Sequence, residues 1–477
     1  MIIVKERPSI KLKVIDFDLV KEGNKNTKIE EFSKDIGRYP YIEIGKLSIT
    51  PDQVIMLQLF NDQFLPRIYI QFRDSSGQLI DPLFPIDDTI IKVFIQADSD
   101  VLMPVRMDFK ITDINPIKSK SGDNNDIIFG LSGILDVSLL YSTFYVSHDN
   151  TSYNVLKSIS KEAGLGFASN IDNTDDSMVW INPADQYLEY IQNIIKHSYK
   201  SQESFMYAYV DFYYNLNYID VETALSEDIE NQQGISSNNY IFDTNKQSET
   251  VVDLILTNHP DKSSTNIYID KYNLLNRSTA INLDIGYLYY LSYFDTDGNT
   301  MYKLTLDNIS TTGTDNNSII MKGGIGEISE MQKYSSGGEY VGKIDNDNTH
   351  PYFLYSLKHN ENNLKFLQKV KLKITINKGN FNLYRFQKIK VNFYKMGQID
   401  ENDLIINKTK PISKKSIEEG AGVISEEDKL NQRLSGEWLI TSINYTFNKR
   451  SGFEQEVTLV KRELNFNDND FDPDKTY

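Results

Sequence analysis

Apolar and polar residues alternate with a period of two in short segments along most of this chain, and such segments bury one side only as strands. In KLKITIN, Leu372, Ile374 and Ile376 face one way while Lys371, Lys373 and Thr375 face the other. Near the start, SIKLKVIDFDLV sets Ile10, Leu12 and Val14 against Lys11 and Lys13. TIIKVFIQA and VRMDFKITDI continue the pattern, with Pro and Asp-Pro breaks between them. So many short strands in residues 1–145 predict a β-barrel or sandwich there.

The period changes at Thr151. TSYNVLKSISKEAGLGF places Val155, Leu156, Ile159 and Ala163 on one helical face, with Gly164 as the left-handed stop. A second helix is expected to open at Asn182–Pro183, where Asn can cap free amides and Pro suits the first helical position. Tyr187, Leu188, Ile191, Ile194 and Ile195 form its apolar stripe. Asp185 and Glu189 sit early and Lys196 and His197 late, as the helix dipole favours.

ESFMYAYVDFYYNLNYIDVE, residues 203–222, comes next and predicts a hairpin. One strand covers 205–214, Asn215–Leu216–Asn217 makes the break, and the second strand runs over 218–221. Residues 146–225 therefore read as a small α/β unit whose sheet is the tyrosine run. Strand character resumes at TVVDLILTN, GYLYYLSYF, QKVKLKITIN and QKIKVNFYK. A last pair, EWLITSINYTF and FEQEVTLVKREL, is joined through Asn448–Gly452. Between them lie a loop-rich stretch at 308–350 and a polar linker at 396–433, and the acidic tail 465–477 is expected to be disordered.

A formal charge of −17 over 477 residues speaks against a nucleic-acid binder, which needs clustered Lys and Arg. Without a single cysteine there are no disulfides, thiolate metal sites or cysteine nucleophiles. MIIVKERPSIKLK has no signal-peptide core, and no apolar run approaches a membrane span. The five histidines, at 148, 197, 259, 350 and 359, show no metal-ligand spacing, and no G-x-S-x-G elbow occurs. GGIGE at 323–327 lacks the Lys and the strand–helix context of a phosphate cradle. DTDGN at 295–299 echoes a calcium loop, but its glycine comes too early and Leu306 holds the twelfth position, so a β-turn is the better reading. No catalytic, cofactor-binding or metal-binding residue is assigned.

One charged feature stands out. From Lys365 to Lys395 the chain carries nine Lys and Arg residues and no acid. Lys371, Lys373, Lys388 and Lys390 are its candidate partner-interface residues, a basic face for acidic surface on a partner or another copy. The alternative is a solvated strand face.

The helix ending in EAGLGF, then Trp180, the helix DQYLEYIQNII and the strand FMYAYVDFYYNLNYIDV resemble the central part of baseplate hub proteins of contractile-tailed bacteriophages. That superfamily includes late control protein D of phage tails and the hub portion of type VI secretion spikes. GNFNLYRFQKIKVNF, a polar insertion and GEWLITSINYTFNKRSGFEQEVTLV resemble the C-terminal part of the same hubs. The resemblance implies a predominantly β, α+β fold with two tail-tube-like barrels. The first takes 1–145, and the second takes 226–259 with 366–464. The α/β unit of 146–225 lies between them, and 260–365 form an insertion. It also implies a homotrimeric ring between tail tube and central spike, contacts with other baseplate proteins, no cofactor and no catalysis. The place of action would be the virion tail baseplate, assembled in the host cytoplasm. Surplus tyrosine rings of the hairpin are then expected at contacts between subunits. Two rival classes stay open: a polysaccharide- or peptidoglycan-degrading tail enzyme, and a carbohydrate- or receptor-binding tail protein.

Overall fold

The computed structural model describes residues 2–10, 40–74 except 46 and 51, 88–95, 105–118, 127–227 except 202, 255–257, 266–277, 280–281, 289–295, 300–306, 336–342, 349–376 except 351, 383–393, 430–431, 434–448, 452–462 and 464. The strand pattern read at 11–20, His259, GGIGE, most of the linker and the acidic tail lie outside these residues.

The first strands are β1 (Ile3–Glu6), β2 (Tyr41–Ile44), β3 (Leu47–Ile49), β4 (Val54–Asn61), β5 (Arg67–Asp74), β6 (Ile90–Ile95), β7 (Val105–Lys118) and β8 (Ile127–Leu135). Strands β2 to β8 form an antiparallel sheet in the order β4-β5-β8-β7-β6-β2-β3. Its buried face follows the period of two: Ile68, Ile70 and Phe72 of β5 are buried, and Phe72 stacks on Phe129 of β8 at 5.7 Å. Strand β1 departs from this group. It pairs with a strand of the α/β unit, so the span read as one first barrel supplies two sheets.

The α/β unit contains β9 (Thr143–Asn150), α1 (Ser152–Glu162), β10 (Gly166–Ser169), β11 (Met178–Gln186), α2 (Tyr187–His197), β12 (Met206–Val210), β13 (Asn215–Asp220) and α3 (Val221–Ser226). Its four-stranded sheet runs β1-β10-β13-β12, and β9 with β11 makes a separate two-stranded ribbon. Helix α1 buries Val155, Leu156 and Ile159, and Gly164 beyond it has a φ of 73°, the left-handed stop expected there.

Helix α2 starts later than the sequence predicts. Asn182 and Pro183 remain in β11, opposite Val146 and Tyr145, because Asn182 closes a local turn with Asp185 instead of capping a helix. The buried face of α2 is Tyr187, Tyr190, Ile191, Ile194 and His197, with Leu188 and Ile195 at its half-buried margin.

The rest of the chain adds β14 (Ile255–Thr257), β15 (Asn266–Asn276), β16 (Tyr289–Asp295), β17 (Thr300–Leu306), β18 (Ser336–Gly342), α4 (Phe353–Leu367), β19 (Val370–Ile376), β20 (Lys388–Asn392), β21 (Gly436–Asn448) and β22 (Gly452–Lys461). Strands β16, β17 and β18 form a small sheet of their own, whereas β15, from the same 260–365 span read as an insertion, belongs to the large sheet. The other six strands run β20-β14-β15-β19-β22-β21, and β20 pairs back onto β21, closing a barrel. Strand β21 also pairs with β4. Among the described residues the closed barrel and the N-terminal sheet are thereby one continuous sheet of 13 strands. The fold is mainly β, with the α/β unit set against this shared sheet.

Candidate functional site

The tyrosine hairpin lies where the two β halves and the α/β unit meet. Its turn falls at 211–214, earlier than the sequence suggests, and Asn215, Leu216 and Asn217 belong to β13. Asp211 sets the turn: its carboxylate accepts from the amides of Tyr213 and Asn215, each at 2.9 Å, and from Asn217 Nδ2 at 3.0 Å. Burial pushes the pKa of Asp211 up, and these hydrogen bonds oppose that rise. The chain reverses through Tyr214 at a φ of 62°.

Several rings of the hairpin make contacts inside the chain. Tyr214 OH accepts from the Asp108 amide of β7 at 2.9 Å, and Phe212 packs on Tyr445 of β21 at 5.5 Å. Tyr209 OH donates to the Arg385 carbonyl at 2.9 Å. An amphipathic phenol suits such a joint, since its ring fills apolar space and its hydroxyl satisfies a buried backbone group.

Arg385 is the centre of the joint. It precedes β20 and is 2% exposed. Its Nε donates to Thr441 O of β21 at 2.7 Å, and Nη2 to Tyr207 OH of β12 at 2.9 Å. Its Nη1 donates to Gln63 O at 2.6 Å, just beyond β4. The guanidinium also lies 4.4 Å from the Tyr209 ring centroid. One planar cation thus binds both β halves and the α/β unit, a role that needs a rigid fork of donors.

Two further cations reinforce it. Lys388, 5% exposed, donates to Leu225 O at 3.1 Å and Glu227 O at 2.8 Å at the end of α3, and pairs with Glu437 at 3.0 Å. Arg462, next to β22, pairs with Glu222 of α3 at 2.8 Å, both side chains being buried.

Helix α4 seals the C-terminus of α2. A helix end leaves its last carbonyls without intrahelical partners. Here Asn360 donates to Lys196 O at 3.1 Å and Ser198 O at 3.0 Å, and Ser356 to His197 O at 2.8 Å. His350 Nε2 donates to the same His197 carbonyl at 2.9 Å, and His359 Nε2 to Ser204 O at 2.9 Å. His197 Nδ1 donates to Phe353 O at 2.7 Å, and the two rings stack with centroids 3.7 Å apart. Burial lowers the pKa of all three histidines, that of His359 to about 4. They serve as neutral donors to backbone. Among the described residues no group of three or more His, Asp or Glu is placed to hold a metal ion.

The four candidate interface lysines separate. Lys388 is buried in the joint, Lys373 and Lys390 are exposed, and Lys371 is half-buried. Lys373 pairs with Glu456 of β22 at 3.3 Å, an acid brought in by strand pairing from outside the basic run. Sequence reasoning missed Arg385 as a special residue because it sat in a run of positive charge. Its flanking Tyr384 and Phe386 were the available signal, since a cation between aromatics is often desolvated.

No protein-family model and no curated protein sequence matches the chain. Among solved structures it is similar to the tail protein from Neisseria meningitidis MC58, with a TM-score of 0.46 and 10% identity over 88% of this chain and 96% of that one. It is also similar to the 43 kDa tail protein of prophage MuSo2 from Shewanella oneidensis, with a TM-score of 0.47 and 12% identity over 89% of this chain and 98% of that one. A third similarity is to the Francisella PdpA-VgrG complex, with a TM-score of 0.45 and 10% identity over 95% of this chain and 66% of that one.

Proposed function

We propose that this chain is a structural hub subunit of a contractile tail baseplate, a ring-forming protein that joins the tail tube to the central spike. One observation carries the reading. Among the described residues a closed six-stranded barrel and a seven-stranded sheet are joined through β4 and β21, and Arg385 locks both to the α/β unit. A subunit built this way offers two β walls as a single piece. Three copies would set six such walls about an axis, which is what a threefold spike needs to meet a sixfold tube. The sequence resemblance to hub proteins supports the same reading.

In it the chain works as a homotrimer in the virion tail, assembled in the host cytoplasm, and performs no catalysis. Lys371, Lys373 and Lys390 meet acidic surface of another copy or a neighbouring baseplate protein, whereas Lys388 holds the chain together. Electron microscopy of the purified chain with its spike protein is the test. Threefold rings with the spike on the axis are expected. Particles without a ring, or peptidoglycan turnover abolished by replacing one carboxylate, would refute the reading.

A further inference from the structure

The β9–β11 ribbon has two unlike faces. Trp180 and Asn182 turn inward and are buried, and His148 Nδ1 lies 3.0 Å from Tyr190 OH of α2. The cross-strand pairs Tyr145–Pro183, Ser147–Ile181 and Asp149–Val179 turn outward. Tyr145 is 88% and Ile181 61% exposed, the highest values among the large apolar side chains described. The ribbon's strands pair only with each other among the described residues. Neither strand contains Lys or Arg, and Asp149 has no cation within ion-pair distance among the described residues.

The second barrel carries a patch of opposite character. On the outer face of β15 and β19, Leu275 is 48% exposed and lies directly across from Lys371. Arg277 follows two residues on, so it continues the same side of the strand line. Lys271 and Lys373 on this face have Glu454 and Glu456 at 3.8 and 3.3 Å. Lys371 and Arg277 have no carboxylate within ion-pair distance among the described residues, and Lys371 reaches only Gln368, at 3.0 Å. Burial, then the neighbouring cations Arg277 and Lys373, lower the pKa of Lys371.

We propose that the ribbon of one copy seats on this barrel face of the next copy, with Tyr145 and Ile181 against Leu275 and Asp149 against Lys371 and Arg277. A second copy is the favoured occupant because both members of the complementary pair, apolar with acid and apolar with base, stand on the same chain. The contact joins unlike surfaces, so it repeats head to tail until the ring closes. Its few side chains cover far less than the ~800 Å² per partner of a standard interface. It therefore holds only where it is repeated round a closed assembly. The number of copies rests on the hub reading; the choice of surfaces does not.

Sedimentation velocity of the full chain, in about 50 mM and about 200 mM salt, tests the contact. Wild-type chain, alone or with its spike protein, is expected as a closed assembly. Asp149→Arg, and separately Lys371→Glu with Arg277→Glu, should each weaken association by about tenfold or more. Combining the two reversals should restore it. Tyr145→Ser with Ile181→Ser should also dissociate the assembly while leaving the melting temperature unchanged, since these side chains are exposed. Assembly undiminished in these variants would overturn the ribbon contact and leave the hub reading standing. A wild-type monomer in both preparations would overturn both.

Discussion

Lys388 and Lys390 are two residues apart on β20, share a strand side by parity, and live in opposite environments: 5% exposed for the first, open to solvent for the second. What separates them is the end of α3, whose Leu225 and Glu227 carbonyls cover the strand at Lys388 and stop short of Lys390. The described members of the basic run divide in the same way. Lys369, Arg385 and Lys388 are buried, and Lys373 and Lys390 are exposed. A charge read from sequence thus fixes neither burial nor partner. The groups packed over it decide both, and in this chain those groups are mostly backbone carbonyls from distant segments.

Truncating the two lysines should expose this contrast most strongly. Lys388→Met leaves two carbonyls and the Glu437 carboxylate without their cation, and breaking such a pair costs about 4 kcal/mol. Lys390→Met should stay within about 0.5 kcal/mol, as surface changes do. Denaturant unfolding of both variants is the check, and equal losses would place the two lysines in one environment.

The buried and marginal faces of α2 give a second contrast. Ile191→Ala should cost about 3 kcal/mol, because Ile191 is fully buried. Ile195→Ala, at the half-buried margin, should cost roughly half as much. Equal or reversed losses in thermal melts would contradict this helix phase.

Acid should loosen the α2–α4 contact. The folded pKa of His359 is about 4, below the unfolded value of about 6.5, so the unfolded chain binds the extra proton first. The stability it contributes is complete above about pH 6.5 and is lost as the pH falls towards 4, by about 3 kcal/mol. His197 and His350 shift in the same direction, with Asp175 and Asp176 partly opposing the shift at His350, and Asp220 opposing and Arg462 adding to the shift at His359. His359→Gln should flatten this pH dependence, as read from urea midpoints between pH 7 and pH 4.5. A slope unchanged by the substitution would show that His359 does not carry it.

Strands such as β6, β7 and β19, α1 with its Gly164 stop, and the closing hairpin through Gly452 were legible because each depends on local periodicity or a local left-handed residue. The hairpin turn was misplaced because Asn215–Leu216–Asn217 looked polar enough to break a strand. Their polarity in fact satisfies Asp211, a partner four to six residues away. The start of α2 was misplaced because Asn182 has a turn to close within β11. The joint was illegible for a different reason. Arg385 meets Gln63 from 322 residues away, and no local pattern encodes a partner at that distance. The same holds for β1, whose place beside β10 depends on a chain separation that periodicity cannot report.

Scanning calorimetry of Arg385→Met tests the central claim, that one buried cation makes the two β halves and the α/β unit a single cooperative body. Met keeps much of the side chain's length and removes every donor. The wild-type chain should melt in one transition. The variant should leave Gln63 O, Thr441 O and Tyr207 OH without their donor and melt in two separated transitions, the first several degrees below the wild-type midpoint. A variant that keeps one transition at the wild-type temperature, or a wild-type chain that already melts in two, would contradict the account.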